Sequence, residues 1–297
     1  MNVFNGWQRA RLCHESLVFE TSGGLASALR DGFFYVSIPE VLDLRPQDHF
    51  VRSFYHEASV ERNNSYAGFK AYGSSDLGPY QGYFARDSDQ AEQFFIEKKN
   101  WNLLFPLDLT CTSYALLSFT LTLLREIFSK LGVPDDNLQE GTGGCLTEHG
   151  THTYTFNHFR PVNHPRGLNV HKDSGWLTVL RSFDPGLEIL RDGAWISINP
   201  IEGYFIVNFG CAMEIFTRNL PCQVTAVTHR VVSQPTDRPS DRFSYALFVD
   251  TSLSKDNMRG LYEYVPKKGL KYVVDFDQFL KNILNKTYDL KTVGLYE

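Results

Sequence analysis

Hydrophobic and polar positions change their period partway along this chain. Between Leu109 and Leu131, the apolar residues Leu117, Leu121, Leu124, Phe128 and Leu131 fall at i, i+4, i+7, i+11 and i+14. That spacing draws one stripe along a long helix, and Gly132 and Pro134 terminate it. Leu25, Ala28 and Leu29 repeat the helical spacing up to Gly32, after which Phe33-Phe-Tyr-Val36 reads as a short strand ended by Pro39. Residues 40 to 60 read as helical. Asn63 to Gly82, rich in Gly, Ser, Asn and Tyr, reads as a long loop of the kind that walls active sites.

Beyond residue 150 the period shortens towards two. Thr151 to Arg160, Leu177 to Phe183, Leu187 to Leu190, Trp195 to Ile198, Tyr204 to Asn208, Glu214 to Thr217, Val224 to Val232 and Phe243 to Val249 all read as short strands. Turns such as Asp184-Pro-Gly186 and Arg191-Asp-Gly193 separate many of them. Regularly spaced short strands predict a sandwich or barrel, here a jelly roll. Lys267 to Asn285 is expected to close the chain with a helix. The fold class is therefore α+β with a mainly β core. An N-terminal helical and strand region (1–138) packs on a β core with a C-terminal helix (139–297), as one integrated unit.

Composition narrows the function classes. The 297 residues carry 29 Lys and Arg against 34 Asp and Glu, a net charge of -5 that argues against nucleic acid as the main partner. Five cysteines, an odd number with no Cys-x-x-Cys pair, read as reduced thiols of a cytoplasmic protein. Met1 to Cys13 lacks an apolar core, so no secretory signal is expected. The most apolar window, Tyr114 to Leu124, is laced with Ser and Thr and stops at Arg125, so no membrane span is expected either. A monomer acting on a small molecule is the expected state.

The candidate chemistry begins at His171-Lys-Asp173. On a strand, i and i+2 face the same way, so both side chains can reach one ion. Alone this is weak, because roughly one His-x-acid pair is expected by chance in a chain with this composition. His229 strengthens it by standing in the apolar run Val224-Thr-Ala-Val-Thr-His-Arg-Val-Val. Two histidines and one carboxylate hold one face of Fe(II) and leave three positions open. Arg242 and Ser244, also i and i+2, offer a guanidinium fork and a hydroxyl suited to a carboxylate, worth about 1.5–3 kcal/mol. The turn-rich segment Pro235 to Asp241 suggests that the strands of His229 and Arg242 form a hairpin. In that register Ser244 lies about 7 to 13 Å from His229, a gap that a metal-bound five-carbon diacid spans. His149 and His152 suggest a rival zinc site, but in a Gly-rich turn region with no evident general base they read better as loop histidines.

At this point the chain resembles the isopenicillin-N-synthase-like branch of the Fe(II)/2-oxoglutarate dioxygenases. The resemblance rests on His171-Lys-Asp-Ser-Gly-Trp-Leu-Thr-Val-Leu180, Asp192-Gly-Ala-Trp195, Val207-Asn-Phe-Gly210, Thr217-Arg-Asn219, His229-Arg-Val and Arg242-Phe-Ser244, in family order. It implies a double-stranded β-helix supported by the long helix, with His171, Asp173 and His229 on iron. Arg242 and Ser244 would hold 2-oxoglutarate, and O2 would be the oxidant. Asn157-His-Phe159 resembles the family's Asn-Tyr-Tyr segment. Asn157 joins the co-substrate set, while Phe159 replaces a tyrosine that would assist it. Cys211 stands where the family usually has Asp.

The implied reaction oxidises a C–H bond of a small metabolite, with hydroxylation ahead of oxidative ring closure or desaturation in specialised metabolite biosynthesis. Asp173 fills the position that halogenating relatives leave open, so halogenation is not expected. Arg62 and Tyr66 resemble a loop that grips a substrate carboxylate, suggesting an amino-acid-derived acid. His158, Arg160 and Trp176 are further candidates for the substrate pocket. A 2-oxoglutarate-independent iron oxidase and a catalytically inactive jelly-roll binding protein are the alternatives.

Overall fold

A computed structural model describes residues 6–60, 63–85, 89–160, 166–254 and 260–288, with side chains as far as residue 284. Its strands are β1 (Arg9–Cys13), β2 (Ser16–Phe19), β3 (Phe33–Ser37), β4 (Gly82–Ala85), β5 (Ala91–Glu97), β6 (Thr151–Phe159), β7 (Leu168–His171) and β8 (Leu177–Ser182). They continue with β9 (Leu187–Arg191), β10 (Ala194–Ile198), β11 (Tyr204–Phe209), β12 (His229–Val231), β13 (Arg242–Asp250), β14 (Gly260–Val265) and β15 (Gly269–Asp275). The helices are α1 (Gly24–Asp31), α2 (Arg45–Phe50), α3 (Ser74–Leu77), α4 (Trp101–Leu104), α5 (Leu107–Lys130), α6 (Leu138–Gly141), α7 (Cys211–Thr217) and α8 (Phe276–Tyr288).

Among the described residues, nine strands form one sheet in the order β2-β1-β3-β11-β8-β13-β6-β5-β4. Four more, β10-β9-β12-β7, form the facing sheet, and β14-β15 make a ribbon. The large sheet takes β1 to β5 from the region before residue 138 and β6, β8, β11 and β13 from the region after it. Its pairings are antiparallel except that of β1 with β3.

The two faces of the large sheet separate support from chemistry. Outward residues such as Tyr154, Phe156, Tyr245 and Leu247 join the main core with Leu109, Leu116, Leu124 and Ile127 of α5. By length and composition alone α5 would pass for a membrane span, contrary to the reading of the Tyr114–Leu124 window. Here its buried side packs on β8 and β13 instead. Pro106 caps α5, Asp108 sits in its first turn, and Lys130 stands in its last, in keeping with the helix dipole. On the inward face, Phe33, Tyr35 and Ile206 of the large sheet meet Leu187, Ile189 and Ile198 of the small one. This apolar plug closes one end of a jelly roll.

Three expectations need correction. β12 and β13 do not form a hairpin. β12 pairs with β7 and β9 in the small sheet, whereas β13 pairs with β6 and β8 in the large one. The connecting chain crosses between sheets, held by Arg238 on Asp184 at 3.0 Å and by a Gln90 Nε2 bond to the Gln234 carbonyl. Glu214 to Thr217 belongs to α7 rather than a strand, because Gly210 and the loop carbonyls of Ser174 and Gly175 start a helical turn there. Lys267 to Asn285 divides into β15 and α8, since Tyr272 and Val274 pair across to β14 before the helical stripe begins.

Candidate active site

The small sheet presents two histidines side by side. His171 ends β7 and His229 opens β12, directly opposite each other in the pairing register, with ring centroids 4.2 Å apart. Each ring is locked by its own strand. Nδ1–H of His171 donates to the Asn169 carbonyl at 2.8 Å, and Nδ1–H of His229 donates to the Val227 carbonyl at 3.1 Å. Both donations place the proton on Nδ1 and leave Nε2 the acceptor nitrogen, the tautomer a metal requires.

Asp173 supplies the third donor from the loop after β7. Its Oδ1 lies 3.8 Å from His171 Nε2 and 3.6 Å from His229 Nε2. Its Oδ2 accepts a hydrogen bond from Thr178 Oγ1 at 2.7 Å, which sets the carboxylate's orientation. The loop is anchored where Cys211 N–H donates to the Asp173 carbonyl and Ala212 N–H to those of Ser174 and Gly175. The three ligand atoms lie within 4.8 Å of one another. Two imidazoles and one carboxylate with outer partners of this kind suit a divalent iron.

Arg242 opens β13 of the large sheet, on the face that Ser244, Phe248 and Asp250 share. It is 1% exposed, its Nε donates to the Pro185 carbonyl at 3.1 Å, and Nη2 donates to Ser182 Oγ at 3.0 Å. Its guanidinium lies 4.5 Å from the Phe159 ring centre. Nη1 is buried without a hydrogen-bond partner. Burial pushes this guanidinium down to about 10. A buried, unsatisfied cationic donor calls for an anion, and the carboxylate end of a diacid held by the metal is the fitting one. Ser244 pairs with Asn157 in the register, and Asn157 Nδ2 lies 3.4 Å from Ser244 Oγ while its Oδ1 accepts from Gln93 at 2.6 Å. Phe159 thus gives Arg242 a ring face and no hydroxyl. Burial raises the Cys211 thiol to about 12, so it stays protonated beside the loop.

A cavity of about 390 Å3 opens beside His171 and Asp173. Phe84, Phe95, Phe248 and Leu253 form apolar walls, and Leu280 and Ile283 of α8 cover it. Its polar lining includes Glu97, Thr153, Lys172 and Asp250. Parity on β13 would have found two of these, because Phe248 and Asp250 continue the Arg242 and Ser244 face at steps of two. The helix contribution had no comparable signal.

The proposed substrate residues are placed elsewhere. Tyr66 is buried in the main core, where its hydroxyl donates to Asp108. His158 occupies the opposite face of β6 from Asn157, between Glu92 at 2.5 Å and Asp241 at 2.7 Å. Arg160 donates to the backbone carbonyls of Gln90 and Asp89. Trp176 packs on Phe128 and Phe216 with its indole N–H on Thr251. None of these four lines the cavity, because strand parity or core packing turns each away from it. Arg62 lies outside the described residues. His149 is exposed and His152 is fully buried, so they do not form a zinc pair.

Comparison with known proteins agrees with this geometry. Residues 150–251 match the 2OG-Fe(II) oxygenase superfamily. Thebaine 6-O-demethylase of Papaver somniferum is 37% identical over 109 residues, which cover 35% of this chain and 28% of that protein. Protein DMR6-LIKE OXYGENASE 1 of Arabidopsis thaliana is 26% identical over 225 residues, covering 70% of this chain and 62% of that one. The chain thus matches less than two thirds of the length of these relatives. In fold it is similar to a dioxygenase for auxin oxidation from rice, with a TM-score of 0.66 at 21% identity, covering 94% of this chain and 95% of that one.

Proposed function

We propose, from the site and from the match of residues 150–251 to the 2OG-Fe(II) oxygenase superfamily, that the chain is an Fe(II)/2-oxoglutarate-dependent oxygenase of a small molecule. It oxidises a substrate C–H bond, hydroxylation foremost: one oxygen atom of O2 enters the substrate as hydroxyl and the other enters succinate as 2-oxoglutarate loses CO2. The observation that carries this reading is the unpartnered Nη1 of Arg242, buried on the inner face that leads to the His171, Asp173 and His229 donors.

Each side chain has a defined task. His171 and His229 offer Nε2, and Asp173 offers Oδ1, to the iron. Iron held by these three residues would supply the oxidising chemistry for the C–H step. Arg242 forms a charge-assisted bond to the far carboxylate of 2-oxoglutarate, with Ser244 and Asn157 beside it. Thr178 keeps Asp173 from rotating. The phenylalanine walls and α8 keep bulk water from the reacting centre and position the substrate C–H bond.

A substrate carboxylate has less support. The residues that suggested it, Arg62 and Tyr66, are respectively outside the described residues and packed in the core. The five free cysteines fit a cytoplasmic location, which belongs to the same reading.

The test is anaerobic absorption spectroscopy on the purified chain. Addition of Fe(II) and then 2-oxoglutarate is expected to produce a saturable visible charge-transfer band, lost in His171→Ala and in Arg242→Ala. Iron binding without the band would favour a 2-oxoglutarate-independent oxidase, and absence of iron binding would end the enzymatic reading.

A further inference from the structure

Resting on that oxygenase reading, we infer that the substrate is a hydrophobic amine whose ammonium group is received by Asp250 at the end of β13. The cavity wall that begins with Phe248 ends, two residues on, with Asp250. One carboxylate oxygen of Asp250, Oδ1, is buried with no hydrogen-bond partner. It lies so close to Gly175 that a Cβ there would come within 1.7 Å of it, so residue 175 must be glycine for this carboxylate to occupy its place.

The other charges of the chamber are already matched. Glu97 is paired with Lys99 at 2.5 Å and bonded by Gln81. Lys172 reaches Glu214 at 3.3 Å. Asp173 belongs to the metal set. No ion pair to Asp250 occurs among the described residues, and its nearest charged influence is another carboxylate, Asp173.

A substrate carboxylate would add a second anion to that wall. An ammonium removes the deficit, and the faces of Phe248, Phe95 and Phe84 add cation–π attraction and apolar contact for the rest of the molecule. A cavity of about 390 Å3 accommodates an aryl-alkyl amine beside the metal.

The experiment titrates the full chain, loaded anaerobically with Fe(II) and 2-oxoglutarate, with three probes of one skeleton: 4-phenylbutylamine, 4-phenylbutanol and 4-phenylbutanoate. Calorimetry at neutral pH should show the amine binding about tenfold tighter than the alcohol, and the carboxylate weakest. Asp250→Asn should weaken the amine about tenfold and leave the alcohol within about twofold. Equal or tighter binding of the alcohol or the carboxylate overturns the inference, as does an amine preference that survives in Asp250→Asn. Should that variant fail to fold by circular dichroism, the wild-type series decides alone. The charge-transfer band is read in the same samples. A band without amine preference removes the substrate class only, and no band removes the oxygenase reading beneath it.

Discussion

Replacing Arg242 by methionine should make the ligand-free chain no less stable while abolishing its response to 2-oxoglutarate. The guanidinium is 1% exposed, and burial lowers it to about 10. Each tenfold in that equilibrium is about 1.4 kcal/mol, so keeping the charge in the folded chain costs on the order of 3 kcal/mol. A base whose folded value is depressed gains stability only as the pH rises through that value towards its unfolded one. At neutral pH the charge remains, and so does its cost. Methionine fills a similar volume without charge, but leaves Ser182 Oγ and the Pro185 carbonyl each short of a bond worth about 1 kcal/mol. The net change should lie between zero and about 1 kcal/mol in favour of the variant, or up to about 2 °C in midpoint. With Fe(II) present and 2-oxoglutarate at a hundred times its dissociation constant, the wild type should gain about 2.7 kcal/mol, roughly 5 °C. Loss of a charge-assisted anchor of about 3 kcal/mol weakens binding more than a hundredfold and reduces that gain below about 1 °C. Anaerobic melting curves of both proteins, with and without 2-oxoglutarate, make the comparison. A ligand-free variant that melts 6 °C lower, or one that keeps the full ligand response, would refute the reasoning.

Three further outcomes follow from the same geometry. Thr178→Val removes the hydroxyl that holds Asp173 Oδ2 and should lower Fe(II) affinity by about 10- to 100-fold, read by anaerobic Fe(II) titration. Asp250, raised by burial from 3.8 to about 8, makes the metal-free protein less stable as the pH climbs between those values. Asp250→Asn should therefore stabilise the metal-free chain about 3.5 kcal/mol more at pH 8 than at pH 5 in urea titrations, and an equal effect at both would contradict this. His152, fully buried and lowered to about 3 from 6.5, stays neutral while the unfolded chain takes up a proton, so stability should fall as the pH drops below 6.5. His152→Phe should flatten that fall by about 2 kcal/mol between pH 7 and pH 5, checked by denaturant melts at both values.

What the sequence disclosed follows physical lines. Arg242 and Ser244 were legible because a period of two fixes which side chains share a face of β13, whereas His171 ends β7 and Asp173 reaches the same point from the following loop, so the strand spacing that suggested the pair is not what joins it. The long helix was legible because one apolar stripe runs unbroken from Leu117 to Leu131. The crossing between His229 and Arg242 was not, since a turn-rich segment serves a hairpin and a change of sheet equally well. β4 and β5 escaped notice because Glu92, Gln93 and Glu97 break the apolar pattern of an otherwise central pairing. Partners remote in sequence help to satisfy their polar groups, His158 bonding Glu92 and Asn157 accepting from Gln93. α8 reads as an ordinary amphipathic helix, and nothing in its stripe tells that, while Phe276 joins the core, Leu280 and Ile283 also roof a cavity.

Strand β13 spans both halves of the proposed site. Arg242 and Ser244 at its start belong to the proposed co-substrate end, while Phe248 and Asp250 at its end line the cavity, and about 20 Å of strand separates Ser244 from Asp250. The first pair must be kept by any chain that burns the same co-substrate. The second lies beyond the metal, in contact with a molecule that differs from one pathway to the next. Selection can therefore rewrite the far end without disturbing the near one, and a library randomised at 248 and 250 should change what is oxidised long before it changes whether anything is.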